Sequence, residues 1–570
     1  MGNNNNTYDA IVIGSGMSGG WSAKELCERG LKTLLLERGR DVKHLKDYPT
    51  TNMMPWEFEH RGQIPYEIAK ENPVISRCYA FREDAMHFFV KDKEHPYVQE
   101  QPFDWIRGYQ VGGKSLMWAR FTQRWSEFDF EGPARDNFAV DWPIRYKDIA
   151  PWYSYVEKFA GISGNKDGLD TLPDGEFLPA WELTCVENHF KDIVAKSYPD
   201  RHVIYSRCAH LTQPQPIHLE QGRAQCQARN LCQRGCPFGG YFNANSTTIP
   251  WAQKTGNLTL RPYSVVHSII YDEAKGKATG VRVIDASTKE AIEYFAPVIF
   301  LNAGAVNTNL ILLNSTSKRF PNGLGNDNAV LGKYFAFHNY RGRISARYDG
   351  FMNFKTEQSR ATGGAYIPRF RNVRKQETDF LRGYACTFNA MRYQTGANTE
   401  GLFGEALKNK LMDTNVPLSP WYIGSQCMGE TIPKETNYLA LDKDKKDEWG
   451  IPLIKFNVAY DDNDEKMIKD FTEQFTEMFE KAGFTDIKAT DSKQAPGLDI
   501  HEMGGVRMGK DPKTSLLNAW NQLHACPNVL VTDGACMTST STQNPSLTYM
   551  AIAARAANHA VDLLKKGDLK

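Results

Sequence analysis

The sequence has no long apolar run. Nowhere do its 570 residues approach the roughly 18 consecutive apolar residues of a membrane-spanning helix, so an integral membrane protein is not expected. It also lacks a charge bias. The 68 basic and 67 acidic residues leave a formal net charge of +1, and neither a basic nucleic-acid footprint nor an acidic tail is present. No internal repeat and no long linker divides the chain. Residues 1–8 are polar and Asn-rich, and the apolar stretch 10–13 is too short for a signal core, so no export signal of its own is expected. Cysteine is present, 11 in all, but not as a disulfide framework. Most are isolated, such as Cys27, Cys78 and Cys427, and read as small apolar residues.

What is there begins with ample core material, 41% hydrophobic and 12% aromatic. The length suits several domains or interleaved segments of one large enzyme. Residues 8–13 read as a short buried strand, and Gly14-Ser15-Gly16-Met17-Ser18-Gly19 follows at once. The pattern then predicts a helix over about 18–29, a stop at Gly30, a second strand over 33–36 and an acidic residue, Glu37. Gly14 allows the tight turn, Gly16 lets backbone approach a pyrophosphate, and Gly19 lets helix pack on strand. The helix N-terminus offers free N–H groups to phosphate, and Glu37 can accept from a ribose diol. This arrangement points to dinucleotide binding without separating FAD from NAD.

The remaining local cluster is Cys226, Cys232 and Cys236, spaced C-x5-C-x3-C and followed by Pro-Phe-Gly-Gly. Three thiolates on one tight loop suit a soft metal or an iron–sulfur cluster. A zinc ion needs a fourth ligand, which Cys208, His210 or His218 could supply. A purely structural group of thiols is the other alternative.

Two further segments bear on the nucleotide. One is Arg107-Gly-Tyr-Gln-Val-Gly-Gly-Lys-Ser-Leu-Met-Trp118; the other is the run from His501 to His559. With the first glycine motif they resemble the glucose-methanol-choline (GMC) family of FAD oxidoreductases over nearly the whole chain, least in 340–440. The resemblance implies an α/β fold, a Rossmann-like FAD-binding domain interleaved with an antiparallel-sheet substrate domain. The FAD domain is expected from 1–45, 100–125, 215–315 and 495–570. The substrate domain and covering segments are expected from 46–99, 126–214 and 316–494. Alternating stretches 341–348 and 453–460 are consistent with substrate-domain strands, under a helix over about 464–482.

The same resemblance implies cofactor contacts. Gly112, Gly113 and Ser115 match the second glycine segment beside the flavin, and Met117 and Trp118 stand where some relatives attach flavin covalently, so a noncovalent flavin is expected. Val266, at the end of a strand over 258–266 that precedes a hairpin of 268–271 and 278–284, matches a residue supporting the adenine. Ala303 lies in the Ala-Gly-Ala end of a buried strand over 298–305, ahead of a helix over about 307–314. Asp533 and Gly534 follow a strand over 528–532 and match a pyrophosphate contact, and Asn544, Pro545 and Thr548 match the family's N-P-x-x-T.

His501-Glu-Met-Gly-Gly-Val-Arg-Met-Gly509 matches H-x-x-G-x-x-R-M-G, so His501 and Asn544 are the implied catalytic pair. The chemistry asks for both. Oxidising a carbinol by hydride transfer requires its hydroxyl proton to leave, which an imidazole can accept near neutrality. An amide can aim the C–H without competing for the proton. His338 stands where relatives carry a histidine, as a cavity wall or a packing residue.

The cysteine segment resembles that of dehydrogenase-type members, including glucoside 3-dehydrogenases and bacterial FAD sugar dehydrogenase catalytic subunits. Some of those relatives have a further cysteine where Arg229 stands. Three ligands favour [3Fe-4S] over [4Fe-4S] and an external acceptor, a cytochrome or quinone, over oxygen. The stretches 112–125, 242–250 and 255–267 look most like glucoside 3-dehydrogenases, which oxidise the C3 hydroxyl of glucosides. An aldose 1-dehydrogenase, or a gluconate- or fructose-type polyol dehydrogenase, is the alternative. A noncatalytic flavin and iron–sulfur electron carrier is the alternative of another class. Related large subunits pair with a small subunit bearing a Tat signal, so periplasmic co-export and a cytoplasmic location are both expected possibilities.

Overall fold

The computed structural model describes residues 6–354, 363–393, 399–412 and 418–569. Strand Ala10–Ile13 is buried at every position, as a run of apolar residues inside a parallel sheet must be. It pairs in parallel with Thr33–Leu36 on one side and Val298–Leu301 on the other. Leu258–Arg261 and Cys526–Val531 extend the sheet in parallel, and Gln522–Leu523 closes one edge antiparallel. Strands distant in sequence are thus neighbours, and their ends converge on one crevice, where ligands of open α/β sheets bind. Helix Met17–Glu28 packs against the C-terminal helix Ser546–Lys566.

The expected strand over 258–266 is two strands. Pro262 and Tyr263, the latter at φ +53°, break it, and Ser264–Asp272 turns away to form a separate antiparallel sheet with Lys277–Asp285 and Ala291–Phe295.

The second domain is built on an antiparallel sheet. Its order is Thr485–Asp491, Gly342–Tyr348, Trp421–Glu430, Tyr384–Met391, Ala365–Ile367 and Ile204–Tyr205, with His338–Asn339 also pairing to Trp421–Glu430. Alternation divides the two faces. Ile344, Cys386, Phe388 and Cys427 join one apolar cluster with Met467, Phe471, Phe475 and Phe479, which come from the covering helix Asp462–Lys481. That helix is started by Asp461 and Asp464, each accepting the other's backbone N–H. On the opposite face the register aligns Tyr366, Thr387, Gln426 and Arg343 in one row across four strands. The stretch expected at 453–460 does not belong to this sheet. Pro452–Asn457 pairs instead with Tyr438–Lys446 and Val98–Gln99 in a small separate sheet. An alternating pattern shows that one strand face is buried and cannot say against which sheet.

Candidate active site

A cavity of about 1380 Å³ opens between the parallel sheet and the polar face of the antiparallel one. Gly14, Gly16, Glu37, Gly113, Ser115, Val266, Ala303, Asp533, Gly534, His501, Asn544 and Pro545 all line it. Gly19, Gly112 and Thr548 do not. Gly19 is a packing residue, since a Cβ there would stand 1.8 Å from the Gly14 carbonyl oxygen. Gly112 holds a left-handed φ of +88° and donates its N–H to the Ser15 hydroxyl oxygen. Thr548 is fully buried and hydrogen-bonds Tyr153 at 2.8 Å, so its hydroxyl serves packing between helices.

The donor set suits a dinucleotide. No side chain caps the N-terminus of Met17–Glu28 at Gly16, which leaves its first N–H groups for a phosphate. Gly16 has open space beside it, the nearest neighbour of a built Cβ being 4.0 Å away. Glu37 ends its strand buried, accepting from Ser15 and from the Gly39 N–H, and burial raises its carboxyl above the usual range. Asp533 holds the opposite turn together, accepting from Gly304 N–H and the Thr308 hydroxyl. At the other end the Arg38 guanidinium lies 4.6 Å from the Tyr109 ring centre and 4.9 Å from that of Trp449. Arg38, Tyr109 and Ile451 line the cavity, with Trp449 packed behind Arg38. This aromatic and cationic wall is not apparent in the sequence. Its one local signal is Arg38 following Glu37 directly.

His501 and Asn544, 43 residues apart, meet with Asn544 Nδ2 3.1 Å from His501 Nε2. Behind them stands His338, fully buried. It does not line the cavity and is not mere packing, because its Nδ1 lies 2.9 Å from His501 Nδ1 and its Nε2 3.1 Å from the Thr540 carbonyl. A carbonyl only accepts, so a neutral His338 carries its proton on Nε2 and accepts at Nδ1. His501 must then donate from Nδ1, which leaves Nε2 unprotonated, its lone pair accepting from the Asn544 amide on the cavity side. Burial, with His338 and Lys114 nearby, pushes the His501 imidazole well below its usual range. Burial likewise lowers His338 to about 4. Lys114, on the second glycine loop, donates to Glu502 at 2.7 Å.

Cys226, Cys232 and Cys236 are free thiols, each partly buried. Burial pushes Cys226 up to about 11. Among the described residues no cysteine-based group of metal-ligand atoms closes round one point. The geometry therefore does not present the expected iron–sulfur or zinc site ready-formed. The loop is held by its backbone, with Ala228 and Asn230 at left-handed φ of +51° and +55°. Arg229, between them, donates to the Thr51 carbonyl and ties the loop to the segment beside it. Asn230 and Gln233 reach the cavity wall.

Comparison with known proteins agrees with this geometry. Residues 8–339 and 433–553 match the N- and C-terminal parts of the GMC oxidoreductase family, and the chain belongs to that family. It is accordingly an FAD-dependent oxidoreductase acting on a CH–OH group. It is 27% identical to 2-methyl-1,2-propanediol dehydrogenase of Mycolicibacterium austroafricanum, over 97% of this chain and 94% of the relative. It is 25% identical to the fructose dehydrogenase large subunit of Gluconobacter japonicus, over the whole of both. It is 24% identical to paromamine 6'-oxidase of Streptomyces fradiae, over 96% and 90%. An Aspergillus oryzae formate oxidase variant shares the fold, with a TM-score of 0.60 at 13% identity over both full chains. Among the described residues no helix is long and apolar enough to cross a membrane.

Proposed function

We propose that the chain oxidises a secondary hydroxyl of a sugar or glycoside, best the C3 hydroxyl of a glucoside, and hands the electrons to an acceptor other than oxygen. The observation that carries this is His501 Nε2, kept unprotonated by His338 and paired with the Asn544 amide, at a cavity whose floor is polar. Tyr366, Thr387, Asn389 and Gln426 line that floor, and the buried Tyr366 hydroxyl has no protein partner. Such groups match a ligand carrying several hydroxyls, since an unpaired buried hydroxyl is costly until a ligand meets it. Trp181 and Tyr340 add aromatic walls.

FAD, when bound by the two glycine loops and Glu37, supplies the hydride acceptor. The chain's own part is proton transfer and orientation. A carbinol oxygen that replaces the direct Asn544–His501 contact accepts from the Asn544 amide while its proton passes to His501 Nε2. The preference for an acceptor other than oxygen rests on the resemblance of the Cys226, Cys232 and Cys236 segment to that of dehydrogenase-type relatives, and the pairing with a small subunit on resemblance to a chain named a large subunit.

Anaerobic mixing with methyl glucoside tests the substrate reading. Its C1 is blocked, so bleaching of the flavin with a 3-keto product is expected. Turnover of free aldoses alone would favour the aldose 1-dehydrogenase reading instead. Stoichiometric iron and acid-labile sulfide in the purified protein would support the relay, and zinc or no metal would remove it.

A further inference from the structure

Asp499 stands two residues before His501 and is buried, 7% exposed. One of its oxygens accepts the His338 backbone N–H at 2.8 Å. The other, Oδ1, is buried without a hydrogen-bond partner. Asp499, His338 and His501 each bring one polar side-chain atom within 4.8 Å of the others'. Between Asp499 and His501, Ile500 adopts a left-handed φ of +64°. That conformation is a true outlier for a β-branched residue, and strain of this kind collects at functional sites.

The base as built has an unmet need. When His501 takes the carbinol proton it becomes a buried cation. Its Nδ1–H points at His338, which is neutral and whose far nitrogen is committed to a carbonyl that cannot take a proton. Nothing in that chain of contacts supplies negative charge, and an uncompensated buried cation is strongly disfavoured.

We propose that Asp499 is the counter-charge of His501, its ionised carboxylate stabilising the imidazolium formed as the substrate is oxidised. The step balances without moving a proton to Asp499. The substrate O–H bond breaks with its proton going to His501 Nε2, the carbinol hydride goes to the bound flavin, and the carboxylate holds the resulting charge. Asp499 is thus a positioning residue that acts through His501. The groups facing it are His338, His501, Glu502, Tyr340, Tyr460 and Tyr549. Glu502 is already paired with Lys114, which leaves Asp499 as the carboxylate available to the imidazole. Burial, followed by the nearby Glu502, raises the Asp499 carboxyl to about 7. It therefore ionises as pH rises through neutrality, and its help is present above that point and lost below it.

This inference rests on His501 being the base, and the two can fail separately. Asp499→Asn keeps the acceptor for the His338 N–H and removes the charge. Flavin reduction by sugar, followed anaerobically, is expected to be about a hundredfold slower in Asp499→Asn at about pH 8.5 and close to wild type at about pH 5.5. A merely structural role would slow both pH values alike, and a ratio flat with pH overturns the proposal. If His501→Ala reduces normally, the base reading falls; if it is inactive while the Asp499→Asn ratio is flat, only the counter-charge falls. Should Asp499→Asn fail to hold flavin, the wild-type profile decides. A reduction rate rising through about pH 7 supports the proposal, and a rate independent of pH contradicts it.

Discussion

At the residue scale, four side chains do different work at one corner of the cavity. His501 presents the unprotonated nitrogen, Asn544 orients, His338 chooses the tautomer, and Asp499 waits for the charge. His501→Ala is expected to cut kcat by about 10²–10⁴-fold while the purified protein keeps its flavin spectrum, the range usual for loss of a general base. A folded, flavin-bearing variant with near-normal turnover would remove His501 from that role. His338→Phe leaves His501 Nδ1–H without its acceptor. Its kcat is expected to fall by about 10²-fold with KM little changed, because the cavity wall itself is intact. Steady-state kinetics separate this from a collapse of the site, in which KM and flavin content would move together. His501 and Asn544 were legible as a motif. Asp499 and the bond from His338 were not, since that pairing joins positions 163 residues apart, and no local pattern encodes which imidazole an isolated histidine will meet.

At the element scale, the first glycine motif contains two opposite constraints. Gly16 faces open space at a helix N-terminus, whereas a Cβ on Gly19 would run into the Gly14 carbonyl oxygen. Gly16→Ala is expected to leave the thermal midpoint of the flavin-free protein nearly unchanged and weaken FAD binding. Gly19→Ala is expected to lower that midpoint, at a cost of roughly 1–3 kcal/mol for overpacking. Differential scanning fluorimetry on the apoprotein, beside flavin titration, separates the two. The strand, glycine turn and helix could be read directly because each rests on neighbours in sequence. The row Tyr366, Thr387, Gln426 and Arg343 could not, because it exists only through strand register. The stretch 453–460 was misassigned for the same reason: its alternation was clear and its partner strands were not.

At the scale of the whole molecule, the two domains are joined under the active site by buried charges. Arg369 and Arg382 meet Glu430 at 2.8 and 3.0 Å, and Arg369 also meets Asp129 at 3.1 Å, with these four side chains essentially unexposed. Asp129 in turn accepts from the Ser541 hydroxyl at 2.7 Å, and Ser541 holds a left-handed φ of +57° three residues before Asn544. Glu430 sits opposite His338 across the strand pair. The network therefore braces both the histidine and the loop that carries the amide. Glu430→Gln weakens the charge-assisted bonds to both guanidinium groups while Arg369 keeps Asp129 and Arg382 keeps Asp136, and is expected to destabilise the protein by about 1–3 kcal/mol, read from the denaturant midpoint of the holoprotein. An unchanged midpoint would mean that the network is not a brace.

Catalysis depends most on an imidazole and an amide receiving a carbinol beside a bound flavin. Anaerobic stopped-flow mixing of the FAD-loaded protein with methyl glucoside, wild type and His501→Ala side by side, reads this directly. Rapid loss of the oxidised-flavin absorbance in the wild type, slowed at least about a hundredfold in the variant, is the predicted result. Equal bleaching in both, or none in the wild type with any sugar, polyol or glycoside tried, would contradict it.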